Sequence, residues 1–307
     1  MIITRPLSKH GIDHRLVKLG RLPYRHDRRN LQLVKYLPRA LPAAPDAYDW
    51  LSKASPFGPM GNLSVGDCTC AGAGHLIQMW TANQGRKTVL PDADILAVYS
   101  KLSGYVPGNP STDNGAAIQD VLNYWRTRGV AGHKCLAFAQ VNPLNRTEFC
   151  QAVDLFGSVD MGSEIPQSAV DQFDAGQPWD VVANDGGIVG GHSYECVGYN
   201  STGPLYVTWG KVVQATWAWH DKYLAPGDGG EAWVVITPEW FNAQGNDPQG
   251  IDTVALGADF TAMTGDPSPF PAPSPNPAPT PTPSPSGSGC ATAMIALAAL
   301  AILLILR

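Results

Sequence analysis

The chain has 307 residues, 44% of them hydrophobic and only 15% charged, with 32 glycines, 27 prolines and a net charge of −5. That length is enough to bury a sizeable core, and the composition describes a loop-rich globular body. Its six cysteines are too few for a disulfide scaffold at this size, which excludes the small stapled folds.

Residues 1–40 form a basic arm: ten Lys/Arg, among them Arg21, Arg25, Arg28 and Arg29, stand against Asp13 and Asp27. The arm is therefore about +8 and the remainder about −13. Leu, Val and Tyr interleave these charges and no nucleic-acid motif follows, so no nucleic acid is expected as partner and docking on the acidic body is favoured. Leu31, Leu33 and Tyr36 are the residues expected to tie the arm down, and it is read as a solvated extension, a short propeptide or a lid. The first residues, "MIITRPLSKHGIDHRL", carry no apolar run, so no secretory signal peptide is expected there.

Residues 41–262 read as one body. In "DCTCAGAGHLIQMWTANQG", Leu76, Ile77, Met79 and Trp80 recur at helical spacing and the pattern stops at Gly85. In "NGAAIQDVLNYWRTRGV", Ile118, Val121, Leu122 and Trp125 make one stripe that stops at Gly129. Strands are expected in "PWDVVAN", "HSYECVGYN", "LYVTWGKVV" and "EAWVVIT", which turn residues separate. Helices first and antiparallel strands second imply an α+β fold of two lobes.

Residues 263–289 form a linker in which ten prolines occur between Pro267 and Pro285. Such a segment runs as a stiff, extended spacer of about 3 Å per residue. Residues 290–307 follow, with "ATAMIALAALAILLIL" at 291–306 and a final Arg307. As a helix those residues cover about 24 Å, so the segment is expected to be a single membrane anchor or a processing signal, with the side of the membrane left open.

Two cysteines in "SVGDCTC" pose the chemical question. On a helix Cys70 sits about 200° around from Cys68, and His75 lies about 10 Å up the axis, so these residues do not share a metal ion. No second Cys/His pair with finger-like spacing exists, and neither metal nor cofactor is expected. Cys68 on the first turn of a helix meets unpaired N–H groups and the positive dipole end, which are expected to lower its thiol pKa. A nucleophilic thiol also needs a base; His75 is on the wrong turn, whereas His192 opens a strand and shares a face with Tyr194 and Cys196. Taken alone, His192 is better read as an ordinary strand-end histidine. Cys70 and Cys196 read as buried small residues, and Cys135 and Cys150 as partners for a disulfide in an oxidising compartment.

The motifs "LPAAPDAYDW" with "GNLSVGDCT", "DNGAAIQDVLNYWRTRGV", "GGHSYECVGYN" and "YVTWG" occur in that order. The body carrying them resembles the papain-like cysteine peptidases, particularly their bacterial and viral relatives, and "LGRLPYRHDRRNL" is similar to a lead-in of the bacterial members. The resemblance spans about residues 17–236 and implies a papain-like two-lobe fold. It implies Cys68 as nucleophile, His192 as general base, and Asn62, standing where the family has glutamine, in the oxyanion hole. It implies Gly115, Gly191 and Trp209 as substrate-binding residues. The asparagine that orients the family's histidine falls on Val207, which cannot bond an imidazole; Thr208 is the substitute if the register shifts. The implied activity is a thiol endopeptidase acting on a peptide or protein substrate. The alternatives are an inactive papain-like binding module, and a Cys-His acyltransferase or cell-wall peptide hydrolase.

Overall fold

A computed structural model describes residues 17–37, 43–238 and 252–270; the proline-rich linker beyond residue 270 and the segment 290–307 lie outside them. Among the described residues no helix is long and apolar enough to cross a membrane.

After a two-residue strand β1 (Tyr48–Asp49) and a single turn α1 (Leu51–Ala54) comes the long helix α2 (Cys68–Asn83). All but the last residue of α2 is buried. A helix wrapped on every side needs small residues where neighbours approach closely, and α2 opens with "CTCAGAG". A Cβ at Gly72 would lie 2.4 Å from Glu195, and one at Gly74 2.4 Å from the Met60 sulfur. Helices α3 (Asp92–Ser103) and α4 (Ile118–Arg128) pack beside it, with Trp80 and Trp125 in contact at 5.9 Å between ring centroids. The expected Ile118, Val121, Leu122 and Trp125 stripe is the buried face of α4.

The remainder contributes β2 (Ala137–Gln140), α5 (Arg146–Phe156), β3 (Val159–Pro166), α6 (Gln167–Asp174), β4 (Ile188–Tyr199), β5 (Pro204–Thr208), β6 (Lys211–Gln214), α7 (Trp217–Tyr223), β7 (Glu231–Ile236) and α8 (Thr253–Thr264). The strands form one sheet in the order β2-β7-β3-β4-β5-β6, with β1 paired to β4. Every ladder is antiparallel. One face carries a second core around Phe149, Trp179, Tyr194, Tyr206 and Trp219. This is the α+β architecture expected from the element pattern.

Three local expectations need correction. "PWDVVAN" is not a strand: only Trp179 bridges, to Ala215, while the rest runs as loop. "LYVTWGKVV" is not one strand but the hairpin β5–β6, turned at Trp209 and Gly210. Both turn residues have positive φ, +46° and +79°, the signature of a type I′ turn. Cys135 and Cys150 are unpaired: Cys135 donates to the Ala137 carbonyl, and both thiols are free.

Residues 17–37 are built into the body. Leu31, Leu33 and Tyr36 are buried in the sheet-side core, and the Tyr36 hydroxyl donates to Asp259 of α8 at 2.8 Å.

Candidate functional site

Cys68 is the first residue of α2, and α2 lies across the face of β4 that carries Ser193, Glu195 and Val197. The two elements are locked by a buried pair: His75 Nδ1 donates to Glu195 at 2.9 Å and Nε2 to the Gly58 carbonyl at 2.8 Å. Burial opposes the cation, but the Glu195 charge and these two acceptors outweigh it and raise the His75 pKa. Both ring nitrogens are committed to these partners. His75 is therefore a structural clamp that holds the start of α2 against β4, and it is not available as a base.

His192 sits on the opposite face of β4, fully buried. Its Nε2 bonds the Thr208 hydroxyl at 2.7 Å, and its ring stacks on Trp209 at 4.3 Å between centroids. Strand register explains why Thr208 and not Val207 makes this bond. Cys196 pairs with Tyr206 and Glu195 with Val207, so alternation puts Thr208 on the His192 face. Val207 faces the other way, into a cluster with Phe57, Met79 and Val197. With Thr208 on Nε2, His192 Nδ1 is left buried and without a hydrogen-bond partner among the described residues.

Residues 18–22 lie in a trough whose walls, Gly66, Gly115–Ala116 and Gly191, are mostly backbone, with Gly20 against Cys68 and Arg21 against the residue that precedes His192. Arg21 N–H donates to the Gly191 carbonyl at 3.1 Å, Ala116 N–H to the Gly20 carbonyl at 2.9 Å, and Leu22 N–H to the Ala116 carbonyl at 3.0 Å. The Trp209 indole donates to the Lys18 carbonyl at 3.0 Å. Glycine is required for this close approach: a Cβ on Gly20 would stand 1.8 Å from the Gly66 carbonyl oxygen, one on Gly115 2.2 Å from that of Gly20, and one on Gly191 2.4 Å from that of Arg21. The two walls are buckled together. Asp113 accepts from Gly66 N–H and from the Tyr99 hydroxyl, which in turn accepts from Gly115 N–H at 2.8 Å.

This burial sets the electrostatics. Desolvation pushes the Cys68 thiol up to about 12, although the backbone N–H groups of Ser193 and Gly20 favour the thiolate. Burial, with the Arg21 charge, pushes His192 down to about 3. The expected low thiol pKa at the helix start is overturned: with the trough filled, desolvation exceeds what a helix terminus supplies, and both groups are neutral.

Asn62 is buried close by, with its amide donating to the Val65 carbonyl at 3.0 Å. Arg21 and the Asp113–Tyr99 buckle were invisible to motif reasoning; the one signal was "LGRLP", a basic residue flanked by glycine and proline in the arm. Among the described residues no group of His, Cys, Asp and Glu is disposed to hold a metal ion.

No family model matches the sequence, and no curated protein sequence matches it. Solved structures do. Xylellain, a cysteine protease from Xylella fastidiosa, is 14% identical over 74% of this chain and 98% of its own, with a TM-score of 0.56. Procathepsin B S9 from Trypanosoma congolense is 11% identical over 73% of this chain and 87% of its own, with a TM-score of 0.50. At such identities the likeness speaks of architecture: the chain has the papain-like α+β fold.

Proposed function

We propose that the chain is a papain-like thiol peptidase held closed by residues 17–22 of its own N-terminal arm. The observation that carries this reading is the trough itself: a cysteine opening α2 and a histidine oriented by Thr208, with an extended piece of the chain laid beside them by backbone hydrogen bonds. That is how a peptide substrate is held.

Once the segment leaves, water reaches the pair, burial no longer disfavours the charged forms, and the Cys68 proton passes to His192 Nδ1. Nε2–H donates a hydrogen bond to the Thr208 hydroxyl and so leaves Nδ1 as the nitrogen that cycles. The thiolate attacks the peptide carbonyl; the backbone N–H of Cys68 and the Asn62 amide, turned from Val65, hold the oxyanion. His192 gives its proton to the leaving amine, then takes one from the water that releases the acyl group. The segment 291–306, in this reading, tethers the enzyme to a membrane behind its proline-rich linker.

One observation favours the second reading, an inactive binding cleft: the pair is neutral and covered. Turnover decides. The full chain carrying Gly20→Ala, which lifts the segment, is expected to release fluorophore from peptidyl aminocoumarin amides, and both Cys68→Ser and His192→Ala should abolish the signal. A folded Gly20→Ala chain with no turnover of any such amide leaves the binding cleft.

A further inference from the structure

The Arg21 side chain does not simply point away from the trough into solvent. It is wholly buried. Its stem lies on the bare backbone of Gly162, where a Cβ would come within 2.4 Å of Arg21 Cδ. Its guanidinium lies 3.5 Å from Glu231 and 3.8 Å from Glu164, and donates to the Gly229 carbonyl and, at 3.1 Å, to the Leu22 carbonyl. Glu231 is itself buried and held by the Trp233 indole at 2.8 Å. These groups form a slot with a glycine floor, a fixed carboxylate at its end and a more exposed one, Glu164, at its rim.

The slot opens onto the trough one residue from the thiol, because Gly20, which precedes Arg21, is the residue whose N–H lies against Cys68. We propose that, when the arm leaves, this slot takes an arginine or lysine side chain of the substrate, at the residue next to the one held at the thiol. The inference rests on the peptidase reading for the word substrate, but the slot's preference for a cation does not.

Three features argue for a cation rather than an apolar side chain. Emptied, the slot leaves Glu231 buried beside Asp160 with the Trp233 indole but no cation, so an apolar occupant would strand a carboxylate without its counter-charge. An acidic occupant would add a further like charge. The contacts that stay with the body also fall on the end of the arginine: one terminal nitrogen donates to the Gly229 carbonyl and the other faces Glu231, while Arg21 Nε is buried without a partner. A slot that grips only the terminal nitrogens accepts the compact ammonium of lysine as well as the planar guanidinium.

Two measurements test this on the full chain. In Arg21→Ala, millimolar 1-ethylguanidinium is expected to raise the unfolding temperature by several degrees, the neutral isostere ethylurea is not, and the effect should vanish when Glu231→Gln is added. Equal effects of the two compounds overturn the proposal. Should Arg21→Ala fail to fold, the single-methyl variant Gly20→Ala serves. The arm pairs parallel with Ala116. A substrate laid with the opposite polarity brings to the slot the residue preceding the one at the thiol. Cys68 of this variant is therefore expected to be labelled at least tenfold faster by an Arg-Gly or Lys-Gly chloromethyl ketone than by the Leu-Gly or Glu-Gly analogue, and equal rates overturn the slot. Guanidinium rescue or selective labelling without turnover of any amide leaves the slot standing and removes the peptidase reading.

Discussion

Replacing Gly20 by alanine isolates what residues 17–22 do to the thiol. The new Cβ falls 1.8 Å from the Gly66 carbonyl oxygen, a backbone atom that Asp113 holds through the Gly66 N–H, so the segment must lift. With its cover gone, the Cys68 thiol falls from about 12 toward its ordinary 9. At pH 7 that raises the thiolate fraction roughly a thousandfold. A less basic thiolate is also a weaker nucleophile, and a Brønsted slope of about 0.45 takes back roughly twentyfold. The net expectation is a gain of about fiftyfold in alkylation rate before easier access is counted. Iodoacetamide labelling at pH 7, resolved by peptide mass spectrometry, measures it, with the half-buried Cys150 as internal reference. A folded Gly20→Ala chain whose Cys68 labels at the unsubstituted rate refutes the gating argument.

Three further outcomes are expected. Thr208→Val leaves the buried His192 Nε2 without its 2.7 Å partner and should cost about 1–3 kcal/mol in urea unfolding, with Thr208→Ser near the parent value; equal losses in both point to packing instead. Tyr99→Phe removes the link between Asp113 and Gly115, and should both destabilise by about 1–3 kcal/mol and speed Cys68 labelling, so unchanged labelling would detach the buckle from the trough. His220 donates to the Pro143 carbonyl and faces the Tyr206 hydroxyl, and burial lowers its pKa from 6.5 to about 4. As pH falls below 6.5 the unfolded chain takes that proton first, so stability present above 6.5 is lost toward pH 4. The loss at this one residue is about 3 kcal/mol, and urea titrations at pH 7 and pH 4.5 should show a smaller fall for His220→Gln than for the parent.

The legible parts of the sequence were those with one period or one strong terminator. The α4 stripe from Ile118 to Trp125 faces a core on one side only, so its 3.6 period survives in the residue order. The central strand β3 was missed because it is covered on both faces: "VDMGSEIP" places Asp160, Ser163 and Gly162 among apolar residues, and no alternation remains. "PWDVVAN" erred the other way, since Val181 is exposed and only Trp179 reaches the sheet core. At the candidate site, Cys68 and His192 were singled out by the motif resemblance, and the structure places them at the start of α2 and in β4. Thr208 required the pairing of β4 with β5, which residue order does not contain: counting back from "WG" arrives at Val207, one residue off the correct face. Arg21 was illegible because its partners, Glu164 and Glu231, lie more than 140 residues away.

The bare walls of the trough have a genetic consequence. Gly115 and Gly191 meet the occupying segment through backbone alone, with an added Cβ only 2.2 and 2.4 Å from it, so a side chain at either would exclude the arm and an incoming peptide equally. Under the peptidase reading, substitutions that release the arm while leaving those glycines intact are therefore expected mainly in the arm, at Leu19, Gly20 and Arg21, and at the Tyr99–Asp113 buckle. A selection for unregulated variants should return changes clustered there, while the wall glycines return only loss of function.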